Sequence, residues 1–349
     1  MSCLSRGVAL LLLLAASEPQ VRAVSALCHR VSLNPRPGQV SAQVWSLDGR
    51  ELVLTDVSTH QLLRYAPDGS LLGSVDKPPF VKGDFKPIQV HAMPEGFLVC
   101  NSAYEWIWLD RGFKPLRSVA QGLPPKFALI SEALVEHDEL AGFGTFRKED
   151  GSWSFGFLQV KLSPAPKVLK VVQEIPYESK GGNLSSILGP LVAKAGEISY
   201  GLQLGEPSFI LNLRNGQRLK AFPPGFERLP VLPKNEGEIS AAGRVRVVDA
   251  STIPVALYGR GAFLYLLTRE QQASKKPLWR LHRIDPKKDA LLGSVILPTS
   301  AMYLELAPGP SVWAVLEESR GATSMLKSDA LLHIAASAID GGGQIPPCE

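Results

Sequence analysis

The 349-residue chain is 45% hydrophobic and 20% charged with a formal net charge of +4, an ordinary composition for a soluble globular protein. Its 37 Lys and Arg are spread along the chain among 33 Asp and Glu, which excludes the concentrated basic footprint of a nucleic-acid binder. At this length about three-quarters of the unfolded surface is buried on folding, so a core forms without a metal or a dense disulfide set.

The first element reads as a secretory signal. Arg6 gives a positive start, Val8 to Ala16 is an apolar run, and Pro19 breaks it. Val21-Arg22-Ala23 and Val24-Ser25-Ala26 offer two small-residue cleavage sites. Residues 1–26 are therefore expected to be a signal peptide and 27–349 a single mature domain, secreted or periplasmic. The apolar run falls short of the roughly 20 residues that span a bilayer, and no later segment of the mature chain approaches that length. A retained, uncleaved anchor is the alternative. A lipid-bearing Cys28 is disfavoured, because Leu27 stands where bacterial lipoprotein signals carry a small residue.

After the signal, short strands follow one another in a four-beat order, each bounded by residues whose backbone preferences suit reversals. The first unit has Val40 to Trp45, a Leu47-Asp48-Gly49 turn, Glu51 to Thr55, a polar corner at Asp56 to His60, Leu62 to Tyr65, a Pro67-Asp68-Gly69 turn, and Leu71 to Val75. The second runs Pro87 to Ala92, Phe97 to Cys100, Trp106 to Leu109 and Leu116 to Ala120. The third has Phe127 onward, Leu140 to Phe143, Phe155 to Val160 and Val168 to Val172. The fourth places Ile187 to Val192, Ile198 to Leu202, Phe209 to Leu213 and Leu219 to Phe222. A fifth gives Val255 to Tyr258, Phe263 to Leu267, Leu278 to Ile284 and Leu291 to Leu297. The sixth has Ala301 to Leu306, Val312 to Leu316 and a weaker remainder through Leu331 to Ile334, with strand preferred to helix over residues 328 to 338.

Second strands begin near residues 51, 97, 139, 198, 263 and 312. The shorter intervals match the roughly 40 to 50 residues of a four-stranded propeller blade. The longer ones hold polar or Pro/Gly-rich insertions, which cost little as surface loops. A twisted four-stranded sheet cannot bury both faces alone, and packing against neighbours in a ring does so while leaving only short edges. The predicted fold is an all-β, six-bladed β-propeller of four-stranded antiparallel blades, with a β-sandwich as the alternative. Because the last blade lacks a strong fourth strand and His29 to Leu33 reads as a strand, the N- and C-terminal segments are expected to join in one blade and close the ring.

Three cysteines remain after signal cleavage: Cys28, Cys100 and Cys348. Three pairings are possible in an oxidising compartment, and three free thiols otherwise. Cys100 ends the apolar run Phe97-Leu98-Val99 and suits a buried thiol. Cys28 and Cys348 lie at the two ends of the mature chain, so the disulfide is placed between them, across the ring seam.

The stretch LTDVSTHQLLRYAPDGSLLGSV resembles an NHL-repeat blade, in which an Asp ends one strand before an Asn-His corner and an aromatic-Asp-Gly turn. Asp56, His60, Tyr65, Asp68 and Gly69 match, whereas Thr59 and Gln61 depart from the usual residues. The other five units share the spacing without the corner residues. The resemblance, to six-bladed NHL and TolB-like propellers, implies a toroid with a ligand-accessible channel, a fold that hosts enzymes, receptors and scaffolds alike.

No nucleophile elbow, zincin, C-x-x-C, phosphate-loop or EF-hand pattern occurs, so no catalytic or metal residue is assigned and no cofactor is expected. The segments that hold a divalent cation in gluconolactonase- and paraoxonase-type propellers are missing too. The six histidines, His29, His60, His91, His137, His282 and His333, fall at different positions in their units and read as surface or packing residues. The basic segment Lys275 to Asp289 reads as a strand flanked by lysines. Corners after the second strands share one face, and their polar residues form a candidate recognition face: Asp56, His60, Asn101, Tyr104, Glu105, Arg147, Arg269 and Glu317. The predicted function is a secreted binding or scaffold protein for an unknown protein, peptide or small ligand. The alternative is a metal-dependent hydrolase or lactonase with a divalent cation such as Ca2+ at the channel mouth.

Overall fold

The computed structural model describes residues 27–79, 81, 83–102, 105–119, 126–175, 188–229, 249–272, 276–320 and 326–349. The expected signal peptide, residues 1–26, lies outside them. The first described strand is β1 (Cys28–Val31), and blade 1 follows as β2 (Val40–Trp45), β3 (Leu52–Asp56), β4 (Gln61–Tyr65) and β5 (Leu71–Val75). Blade 2 is β6 (Pro87–Met93), β7 (Gly96–Asn101), β8 (Glu105–Asp110) and β9 (Pro115–Val119). Blade 3 is β10 (Phe127–Glu136), β11 (Glu139–Arg147), β12 (Trp153–Lys161) and β13 (Lys167–Ile175). Blade 4 has β14 (Val192–Ala195), β15 (Ile198–Gln203) and β16 (Phe209–Asn212). Blade 5 has β17 (Ile253–Arg260), β18 (Phe263–Gln271), β19 (Pro277–Asp285) and β20 (Ala290–Ile296). Blade 6 is β21 (Tyr303–Pro308), β22 (Val312–Arg320) and β23 (Leu326–Ala335), followed by helix α1 (Ala336–Gly341) and β24 (Gly343–Gln344). The described residues thus form six antiparallel sheets, an all-β, six-bladed propeller whose first strands surround a central channel.

Burial explains the sequence pattern blade by blade. Every residue of β3 is buried: Leu52 and Leu54 pack towards blade 6 with Ala314 and Leu316, while Val53 packs towards blade 2 with Phe97 and Val99. A strand covered on both faces can be apolar at consecutive positions, whereas outer strands such as β5 and β13 alternate or turn polar. The Pro67-Asp68-Gly69 turn also has a tertiary role. Gly69 adopts φ +87° and a Cβ there would meet the Ser32 carbonyl oxygen at 2.3 Å; only glycine combines that backbone with such a close approach. Its own carbonyl accepts the Asn34 N–H at 3.1 Å, holding the segment after β1 against blade 1.

The ring closes where the first and last described segments meet. β1 is the outermost strand of blade 6, paired antiparallel with β23 from Cys28↔Ile334 to Val31↔Leu331. Arg30 donates its N–H to the carbonyl of the terminal Glu349 at 2.8 Å. Cys28 and Cys348 form a disulfide with Cα atoms 4.6 Å apart, and Cys100 is a buried free thiol. The C-terminal segment also reaches blade 5, where β24 adds a short parallel strand to β20. Asp340 of α1 accepts from Tyr265 Oη at 2.6 Å and Arg260 Nη1 at 2.8 Å.

Three details differ from the sequence reading. In blade 4 the first strand is Val192–Ala195 rather than 187–192, because Pro190 has no N–H to give a ladder. The backbone before it bonds blade 5 instead, through Gly189 N–H to Val255 O at 3.1 Å and Leu257 N–H to Pro190 O at 2.7 Å. The fourth place of that blade holds a single bridge, Leu211↔Arg218, as the N–H groups of Lys220 and Ala221 turn to Asp289 Oδ1 of blade 5 at 2.7 and 2.9 Å. After Ala335 the chain leaves the sheet for α1, with Ala336 and Ile339 buried at helical spacing.

The clasp predicts a stability effect. Cys28→Ser or Cys348→Ser lowers the unfolding free energy by about 2–5 kcal/mol, the usual cost of losing a native disulfide. The measurement is the urea midpoint of the oxidised wild type against either variant, and coincident midpoints would show that the ring closes without it.

Candidate functional site

The six first strands wall a channel of about 910 Å3. Polar groups from every blade of that wall are used to join one blade to the next. Ser41 Oγ donates to Ile88 O at 2.8 Å and Gln89 Nε2 to Ile130 O at 2.9 Å. Ser131 Oγ accepts the Leu191 N–H at 2.8 Å, and Lys194 Nζ returns to Val135 O at 2.9 Å. Backbone bonds join blades 4 and 5, and Arg260 donates to Gly309 O and Pro310 O at 3.0 and 2.9 Å. Gln43 Nε2 completes the circuit at Glu305 O, 2.6 Å away. Each joint satisfies a backbone group that the curvature of the ring takes away from its own sheet.

Two acids in the wall stand outside this scheme. Glu132, on β10 just past the bulge between Leu129 and Ser131, has a wholly buried side chain. Neither of its carboxylate oxygens has a hydrogen-bond partner; the nearest opposite group is His91 Nε2 of blade 2, 3.6 Å from Oε1. Glu305, on β21, is half-buried on the lumen. Burial, and then the neighbouring Glu318, push its carboxyl well above the ordinary carboxylate range. The same surroundings, burial first and then Glu305, push the Tyr258 hydroxyl up as well. An acid in the interior of each apolar strand, Glu132 in FALISEALVE and Glu305 in YLELAP, was the available sequence signal for these positions.

The corner residues lie at the mouth where the first strands begin, and most of them face inward. Asp56 is 1% exposed and accepts from Gly38 N–H at 2.7 Å, Ser58 N–H at 3.0 Å, Ser58 Oγ at 2.7 Å and Thr59 N–H at 3.2 Å. Burial alone would raise its pKa, but these bonds, that from Gly38 foremost, hold it below the ordinary value. Asn101 repeats the arrangement in blade 2, accepting from Lys86 N–H at 2.7 Å and donating to Asp84 O at 3.0 Å. Arg269 is buried 3.5 Å from Asp249, and Glu317 accepts from Thr299 Oγ1 and pairs with Arg30 at 3.2 Å. Glu105 is buried beside Asn101. Asp56, Asn101, Arg269 and Glu317 thus pin the segment entering the first strand of blades 1, 2, 5 and 6 to the corner of the same blade. His60, at φ +60°, and Arg147 are exposed on the rim; Tyr104 lies outside the described residues.

The other histidines are dispersed. His282 donates to or accepts from Thr268 Oγ1 at 3.0 Å, and burial pulls its pKa down to about 4. His333, packed on His29 and Trp45 at the seam, is likewise pulled down to about 4. His137 meets Glu95 on the surface at 2.9 Å. Among the described residues no group of three or more His, Cys, Asp or Glu is placed to hold a metal ion, and no helix is long and apolar enough to cross a membrane.

No protein-family model and no curated protein matches the chain. Solved structures do match in shape. A candidate exported protein of Bacteroides fragilis superposes with a TM-score of 0.52 at 10% identity, over 88% of this chain and 93% of that one. The WD40 repeats of RRP9 superpose with a TM-score of 0.50 at 8% identity, over 88% and 97%. At such identities the likeness establishes the propeller fold alone.

Two substitutions separate the pins from the lumen acids. Asp56→Ala leaves four donors without their acceptor and costs about 2–3 kcal/mol; a denaturation midpoint equal to wild type would refute the pinning role. Glu305→Gln acts in the opposite sense. The folded protein keeps the Glu305 proton above the ordinary value of 4.5, so wild-type stability falls as pH rises from there towards the raised value. The variant therefore melts higher than wild type at pH 8, and the difference closes towards pH 4; a difference independent of pH would refute the assignment.

Proposed function

We propose that the protein is an exported binding or scaffold propeller that receives its ligand in the central channel. The observation that carries this reading is the contrast inside the channel wall. Polar groups of every blade bond its neighbours, yet among the described residues Glu132 is buried with His91 at 3.6 Å but no hydrogen bond, and the Glu305 carboxylate stands on the lumen beside another acid, Glu318. Buried polar groups without partners are rare in stable folds and concentrate where something else binds. The corner mouth is the approach, with His60 and Arg147 as solvent-facing members of the recognition rim and Asp56, Asn101, Glu105, Arg269 and Glu317 behind them. The NHL character of the first blade fits this reading, since its Asp and His corner shapes the same mouth. Export is supported by the Cys28–Cys348 disulfide, which persists in oxidising compartments. The channel-mouth hydrolase reading gains no ligand set from the described residues.

The binding reading is tested by saturation-transfer NMR of the mature chain against a mixed library of neutral and charged fragments. Hits are expected to weaken in Ala42→Trp or Ala133→Trp, which narrow the channel from two first strands. Absence of hits, or hits indifferent to both variants, would refute a channel site. Mass spectrometry of the protein expressed from residue 1 should find an N-terminus after Ala23 or Ala26; retention of residues 1–26 would refute export by a cleaved signal.

A further inference from the structure

The charge in the lumen is lopsided. Glu132 and Glu305 stand on the first strands of blades 3 and 6, three places apart in the ring of six, Glu305 half-buried on the lumen and Glu132 buried in the wall beside His91 of blade 2. Glu318 stands on the strand next to Glu305, its register partner being Tyr303. The cations of the wall are committed elsewhere. Lys194, near the end of β14, donates to Val135 O and lies 3.8 Å from Glu197. Arg260, at the end of β17, is held by Asp340, Gly309 and Pro310. His91 leaves its Nε2 3.6 Å from Glu132 without a hydrogen bond. Glu305 is held by its backbone, paired with Leu316 in the sheet and bonded at its carbonyl by Gln43. Acid therefore dominates the uncommitted charge of the lumen wall, and one of its members, Glu132, is fully buried with neither oxygen hydrogen-bonded among the described residues.

We propose that the channel binds a small organic cation, an alkylamine or guanidinium compound, with its charge against Glu305 and in the field of the buried Glu132. This rests on the channel being the binding site. An organic cation supplies the counter-charge that the wall withholds, and a positive group beside Glu305 favours its ionised form. Within a low-dielectric wall the attraction is stronger than at the surface, so Glu132 contributes without touching the ligand. A small hard cation fits less well, since it demands several converging oxygens and the described residues offer no such group. One ammonium needs a single carboxylate. The remaining wall suits a hydrocarbon chain, with Val44, Leu188, Val255 and Leu306 on it, and about 910 Å3 is within the range of small-molecule sites.

The test is isothermal titration of the mature full-length chain with putrescine and with 1,4-butanediol, a neutral compound of the same length. Putrescine is expected to bind at least about tenfold tighter than the diol. Glu305→Gln should erase that preference and Glu132→Gln reduce it several-fold, both variants melting no lower than wild type at pH 8. Equal affinity for the two compounds, or a preference untouched by Glu305→Gln, overturns the proposal. Calcium chloride alone is the third titrant: binding that displaces putrescine and disappears in Glu305→Gln assigns the acids to a metal and overturns it too. If a neutral fragment binds in a manner sensitive to Ala42→Trp while putrescine gains nothing over the diol, the ligand class is wrong and the channel reading stands. If no compound of either kind binds, both fall.

Discussion

Everything in this molecule depends on closing a ring of sheets that cannot be stable singly. Each blade is apolar on two faces, and each face needs a neighbour; an open ring would expose two of them. The closing bond is made by β1 completing blade 6, so the last blade contains the first described strand. The apolar seam of Val31, Val40, Trp45, Ala314 and Leu331 supplies the energy of closure, and the disulfide restricts the open ensemble. The entropic value of a cross-link grows only logarithmically with loop length. Its position matters more here than its 320-residue span, because it joins the two ends whose separation would open the ring.

Closure also dictates the chemistry of the channel. First strands splay from one another as they line a lumen, and the backbone groups at their ends lose ladder partners. Gln43, Gln89, Ser131, Lys194 and Arg260 supply replacements, each reaching one blade over. This makes the polar wall structural by default, and it changes what counts as a functional signal. A glutamine or serine in the lumen is explained by a carbonyl or N–H within bonding distance. Among the described residues Glu132 makes no such bond, only a 3.6 Å approach to His91, and the Glu305 carboxylate stands beside a second acid rather than a backbone group.

The four-beat rhythm was legible because blade strands are short and their turns use Gly, Asp and Pro where reversals need them. The seam was legible for the same reason, a missing strand at one end matched by a spare one at the other. Blade 4 was not, because its irregularities arise from partners distant in sequence: Asp289 withdraws the N–H groups of Lys220 and Ala221 from a ladder that their local pattern supports. Comparison of corners found equivalent positions, yet polarity alone could not distinguish a side chain facing solvent from one turned inward onto backbone. Asp56 and His60 are four residues apart in one polar corner, and one is buried while the other is exposed. The lumen acids were visible as single charges in apolar strands, but their isolation from partners is a property of six strands brought together.

The placement of Glu305 bears on how a ligand would be held. Its strand belongs to the blade carrying the clasp, its carbonyl is fixed by Gln43 from blade 1, and Arg260 of blade 5 bonds the turn that follows it. The blade is therefore tied on both sides and across the seam. A carboxylate on so constrained a strand keeps its position without a partner of its own, and little ordering remains to be done when a ligand arrives. Glu132 is held differently, past a bulge that places Ser131 against blade 4 and the acid against blade 2. The two acids are thus held by unrelated local devices, one by the ties of its blade on both sides and the other by a bulge and the face of a neighbouring blade, and both positions are set by the ring itself.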